Sequence, residues 1–103
     1  MLDQKKIEIV KRYKDELIEL GIPVNNLIVF GSHVKGTQNK WSDLDVCVVS
    51  PIFGVDRLSE RVLLTRISRN ISDNIEPHPM CQKDLDDKFS PLSNEIRNYG
   101  VKI

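Results

Sequence analysis

The chain has 103 residues, of which 40% are hydrophobic and 29% charged, with 15 Lys+Arg balancing 15 Asp+Glu. That length fits one compact domain, residues 1–103, and hides roughly 60–70% of the surface its unfolded form exposes, so a core forms without disulfide staples. Seven basic and seven acidic residues precede Phe53, and eight of each follow, so no net field draws in nucleic acid or an anionic membrane.

The elements alternate from one end to the other. From Asp3 to Leu20 the apolar positions Ile7, Val10, Tyr13, Leu17 and Leu20 recur at helical spacing, and Gly21 with Pro23 ends the run. Leu27 to Phe30 is a short continuous apolar stretch before a glycine, which predicts a buried strand. A short segment led by Ser32 follows, with Gly36 too unfavourable for a long helix interior. The next strand spans Leu44 to Val49, with Leu44, Val46 and Val48 on one face and Asp43, Asp45, Cys47 and Val49 on the other.

Asp56 is an N-cap for a helix through about Arg69, with Leu58, Val62, Leu63, Ile67 and Ile71 as its apolar contacts. A third strand is expected around Asn74 to His78, at a sheet edge because Pro77 and Pro79 cannot donate to a ladder. Ser90 then caps a last helix with Pro91 at its first position, Leu92, Ile96 and Tyr99 inward, and Gly100 past its end. The order α-β-α-β-α-β-α, with no repeat or linker, predicts a small α/β fold: a mixed sheet of about three to four strands with helices mainly on one face.

The opening residues Met1 to Val10 carry no apolar signal core, and the longest apolar runs are four residues, far short of the ~20 needed to cross a bilayer. Cys47 and Cys81 lack zinc spacing, so two reduced thiols and a cytoplasmic setting are expected.

One stretch departs from generic folding sequence, Phe30-Gly31-Ser32 through Ser42-Asp43-Leu44-Asp45. Gly31 lets another group approach the backbone, and the helix start after it suits a phosphate, with the Ser32 hydroxyl beside it. Asp43 and Asp45 share a strand face with Cα atoms roughly 6.5–7 Å apart. Two carboxylates that close repel unless a cation intervenes, and oxygen ligands beside a phosphate cradle suit Mg²⁺. Two such ions about 3.5–4 Å apart would clamp an in-line displacement at phosphorus.

Gly31-Ser32, ten residues, then Asp43-x-Asp45 resembles the signature of the polymerase-beta-like nucleotidyltransferase superfamily, with Gly36 and Ser42 also at family positions. The short chain and its segment from Pro91 to Gly100 are similar to the minimal nucleotidyltransferases, small stand-alone members often paired with HEPN-domain proteins. The resemblance implies that Gly31 and Ser32 form the triphosphate-binding turn, that Lys35 touches the phosphate tail, and that Ser42 supports the phosphates or orients Asp43. It implies Asp43 and Asp45 as metal ligands and a third carboxylate on a later strand. Glu76 is the candidate there, with Asp73 as fallback.

Blander readings stand beside these. Glu76 is also a charged edge-strand residue of the kind that discourages aggregation. His33 sits beside the expected phosphates or on the surface of a first helical turn. His78 and Cys81 lack zinc partners and read as structural. Trp41 either stacks a base or anchors its loop. Arg57, Arg61, Arg66 and Arg69 make no single stripe and read as a solvated helix, with partner docking open.

The resemblance therefore implies transfer of AMP from ATP, with Mg²⁺, to a hydroxyl acceptor, Glu76 helping to deprotonate it. No acceptor-binding domain is evident, so the expected acceptor is another protein, and the family likeness points to an antitoxin that adenylylates a HEPN toxin. The contrasting reading is a weak or inactive nucleotide-binding module that neutralises its partner by occlusion. A homodimer or a heterocomplex would cover the apolar surface of so small a domain.

Overall fold

The computed structural model describes residues 2–39 and 42–103. It runs α1 (Gln4–Glu19), β1 (Asn26–Phe30), α2 (Ser32–Lys35), β2 (Leu44–Val49), α3 (Arg57–Ser68), β3 (Ile75–Met80), α4 (Gln82–Leu85), α5 (Pro91–Tyr99) and β4 (Val101–Lys102). Trp41, with both of its readings, lies outside the described residues. The strands form one mixed sheet in the order β3-β2-β1-β4, in which β2 runs parallel to β3 and antiparallel to β1, and β4 pairs antiparallel with β1. The α/β expectation holds, with four strands and the two long helices on the same face.

That face is built from Leu27, Val29, Leu44, Val46, Val48 and Ile75, which pack against Val10, Tyr13 and Leu17 of α1 and Leu64 and Ile67 of α3. The Tyr13 hydroxyl donates to the Leu64 carbonyl at 2.9 Å and ties the two helices together inside the core. The opposite face carries Ile28, Phe30, Cys47, Val49 and Met80, covered at one end by Leu85 of α4 and Ile96 of α5. The other end of this second face is where the polar residues of β2 and β3 converge.

Helix starts follow the sequence. Asp3 accepts the Lys6 amide at 2.9 Å, Asp56 accepts that of Ser59 at 3.2 Å, and Ser90 accepts that of Ser93 at 3.1 Å. Two helix faces differ from expectation. On α3, Leu58, Val62 and Leu63 are exposed, while Leu64, Ile67 and Ser68 turn inward. Apolar residues occupy more than one side of this helix, and the sheet selects the side that carries Leu64. On α5, Ile96 is inward as expected, but Leu92 and Tyr99 are exposed and Ser93 is buried, its hydroxyl donating to the Asp84 carbonyl at 2.7 Å.

The third strand lies at the sheet edge, as its prolines require, and extends to Met80. The Leu44 amide donates to Asn74 at 2.7 Å and the Ser50 amide to Met80 at 2.9 Å, so the even-numbered carbonyls of β3 face β2. By alternation the backbone groups of Pro77 and Pro79 face away from the sheet, where a missing N–H breaks no ladder bond. Among the described residues no helix is long and apolar enough to cross a membrane.

Candidate active site

The sheet register assembles the site. Phe30 stands opposite Asp45 and Asp45 opposite Glu76, so one strand-row crosses β1, β2 and β3. Two residues further along, Cys47 pairs with His78 on the same face. Glu76 therefore lies beside Asp45 because of strand pairing, although the two are far apart in sequence.

The turn between β1 and α2 closes over this row. Gly31 has φ 84° and ψ −154°, a backbone conformation held almost solely by glycine. A Cβ placed there would meet Asp45 Oδ2 at 2.4 Å. The turn thus packs directly on the carboxylate, and no larger residue fits without moving it. Ser32 follows as the half-buried first residue of α2.

Each acidic side chain in the row has a protein partner. Asp45 Oδ1 and His78 Nε2 are 3.1 Å apart, and Glu76 Oε1 pairs with the Arg61 guanidinium at 2.6 Å. The His78 ring also meets Phe30 edge-on, with centroids 5.0 Å apart. One donor atom each from Asp45, Glu76 and His78 lie within 4.8 Å of one another. Two carboxylates and an imidazole this close, under a turn that a Cβ would obstruct, are a donor set that fits a divalent cation.

The other expected residues lie around this group. Asp43 is exposed just before β2 and contributes no atom to it. Lys35 is ion-paired with Glu95 of α5 and sits over the Tyr99 ring at 5.2 Å, so it is tied to the C-terminal helix. The Ser42 hydroxyl accepts the Asn39 amide at 3.0 Å, and its carbonyl meets His33 Nε2 at 3.1 Å. Ser42 thereby holds the loop that returns to β2. His33 is buried and contacts that loop, so it is not the surface residue of a first helical turn that one of its two readings expects.

The sequence reading missed His78 and Arg61. For His78 the signal is period-two alternation, since it follows Glu76 by two residues on the same strand. Arg61 has no local signal, because only the packing of α3 over β3 brings it to Glu76.

The model of the family described as nucleotidyltransferase domain matches residues 10–97. The chain belongs to that family. A curated relative from Methanocaldococcus jannaschii, named as a putative protein adenylyltransferase, is 27% identical over 101 residues, spanning 94% of this chain and 97% of its own. A candidate nucleotidyltransferase of Sulfolobus solfataricus shares the fold with TM-score 0.65 and 18% identity, over 92% of this chain and 76% of that one. So does a mutant form of the toxin-antitoxin MntA-HpeT, with TM-score 0.62 and 15% identity, over 89% of this chain and 69% of that one. A toxin-antitoxin solved with AMP-PNP aligns with TM-score 0.57 and 19% identity, over 89% of this chain and 70% of that one. In this nucleotidyltransferase domain, the row of Asp45 and Glu76 under the Gly31 turn is the candidate active site.

Proposed function

We propose that this nucleotidyltransferase moves AMP from ATP to a hydroxyl of a protein acceptor, and that the acceptor is a HEPN-type toxin it holds in check. The observation that carries the reading is the placement of Asp45 and Glu76 side by side beneath the Gly31-Ser32 turn. The name of the Methanocaldococcus relative, which matches over nearly its whole length, favours a protein acceptor. The toxin-antitoxin neighbours favour a toxin as that acceptor.

In this reading Asp45 and Glu76 hold divalent cations, with Asp43 joining them from the mouth of β2. Bound there, the cations would offset phosphate charge and draw the reacting oxygens into line. Gly31 and Ser32 seat the triphosphate, and Lys35 leaves Glu95 to meet its β- and γ-phosphates. The acceptor oxygen forms a bond to the α-phosphorus as the bond to the β-phosphate oxygen breaks. Pyrophosphate departs with that electron pair, and Glu76 accepts the hydroxyl proton.

One observation favours a second reading, in which the domain neutralises its partner by occlusion. Both carboxylates are already engaged inside the protein, Asp45 by His78 and Glu76 by Arg61. Incubation with α-labelled ATP, a divalent cation and the partner toxin separates the two. Label on the toxin with the wild type, and none with Asp45→Asn, supports the transferase. Equal neutralisation by both proteins without label supports occlusion and overturns the proposal.

A further inference from the structure

We propose that Asp45, Glu76 and His78 form a mixed carboxylate–imidazole site that selects a first-row transition ion, Mn²⁺ among them, over Mg²⁺. This rests on the reading of the Asp45–Glu76 row as the cation site, and it replaces the Mg²⁺ expected from the aspartates alone.

The geometry comes first. Cation–ligand bonds of about 2.0–2.3 Å put neighbouring donors roughly 3 Å apart around one ion. The three donor atoms already lie within 4.8 Å of one another, so small side-chain rotations close them on a common centre. Asp45 Oδ1 and His78 Nε2, at 3.1 Å, stand at that spacing now. To bind, Nε2 gives up its contact with Asp45 Oδ1, the ring takes the tautomer with its hydrogen on Nδ1, and the Nε2 lone pair turns to the ion. The ring is only 17% exposed and is braced by Phe30, which fixes the direction of its nitrogen.

The sequence then explains why the donors hold their places. Both β3 donors directly precede a proline, in Glu76-Pro77-His78-Pro79. A residue before proline is pushed out of the helical region into extended backbone, and each proline fixes its own φ. Two donors of one face are thus set at strand spacing by the covalent chain as well as by pairing with β2. Such preorganisation lowers the ordering cost of binding.

The donor chemistry decides the ion. Mg²⁺ prefers oxygen ligands and gives up its waters reluctantly, so an imidazole adds little to its affinity. Affinity for a nitrogen-containing site instead rises from Mn²⁺ through Co²⁺ and Ni²⁺ along the first transition row.

The test uses the whole chain with MnCl₂ or MgCl₂ alone, by titration calorimetry and pulsed electron paramagnetic resonance of bound Mn²⁺. Mn²⁺ should bind about tenfold more tightly than Mg²⁺ and show nitrogen-14 modulation from a directly bound imidazole. His78→Gln and His78→Ala should remove the modulation and most of the Mn²⁺ advantage, leaving Mg²⁺ affinity nearly unchanged. Asp45→Asn should weaken both ions. Mn²⁺ bound in an Asp45-dependent way without nitrogen modulation, or an unchanged ion preference in both His78 variants, overturns this inference and leaves the transferase reading standing. Failure of both ions to bind, or binding indifferent to Asp45→Asn, overturns both.

Discussion

Replacing Gly31 by alanine should damage the site through a single added carbon. Its backbone, at φ 84° and ψ −154°, sits in a region where a residue with a Cβ is strained by about 1–3 kcal/mol. The new Cβ would also stand 2.4 Å from Asp45 Oδ2, roughly 1 Å inside ordinary contact. Asp45 must swing away, and its 3.1 Å contact with His78 goes with it. A loss of about 2 kcal/mol corresponds to a melting temperature about 8–16 °C lower for a domain of this size.

Gly21→Ala supplies the control, because Gly21 has φ 86° but no atom within 4 Å of the place its new methyl group would take. Thermal melts and Mn²⁺ calorimetry on the wild type and both variants separate strain from collision. Both variants should melt earlier, and only Gly31→Ala should lose cation affinity, by about tenfold or 1.4 kcal/mol. Wild-type affinity in Gly31→Ala, or an equal loss in Gly21→Ala, would refute the argument that the turn is fitted to the carboxylate.

Three further outcomes follow from the same contacts. Burial pushes the Cys47 thiol up from 9.0 to about 12, so the folded state keeps its proton where the unfolded chain would lose it. Stability is full below pH 9 and falls as pH rises toward 12, by about 1.4 kcal/mol per unit; urea midpoints at pH 9 and 10 should show a flatter decline in Cys47→Ala, and an equal slope would clear the thiol. For Glu60, burial raises the carboxyl, but amides of Gly54, Asp56 and Val55 at 2.9, 3.1 and 3.2 Å together hold it below 4.5. Glu60→Gln should therefore cost about 1 kcal/mol at pH 7, and progressively less as pH falls through the folded value of the wild-type carboxyl; a loss that stays constant through an acid series of urea melts would exclude the charge as the cause. Arg61→Gln removes the cation on half-exposed Glu76, so stability should change by less than about 1 kcal/mol while divalent-cation affinity rises roughly fivefold by calorimetry. Unchanged or weaker cation binding in that variant would show that Arg61 supports the site instead of competing for it.

Much of this was legible in the sequence because local rules and tertiary packing agree. Leu44, Val46 and Val48 alternate with Asp45 and Cys47 as a two-faced strand must, and the prolines of β3 announce an edge. Asp3, Asp56, Ser90 and Pro91 mark helix starts by chemistry that acts within one turn. The errors fall where the decision is made elsewhere in the chain. Helix α3 has apolar residues on more than one side, and only the sheet and Tyr13 choose Leu64 over Leu58 and Val62. Helix α4 and strand β4, with four and two residues, are too short to show a period and exist through their neighbours. At the site, spacing brought Asp45 forward and alternation put Glu76 on a face. Strand register alone made the two adjacent, and it brought His78 with them.

The outer margin of β3 has a bearing on assembly. At two successive outward positions the backbone offers no hydrogen to an incoming strand, because both are prolines. The far margin of the sheet is β4, with a span of only two residues. Neither side gives another polypeptide a long row of donors and acceptors to zip onto. Any companion must therefore be gripped through side chains on the helices and loops, and its identity will be written in surface chemistry instead of in shared backbone.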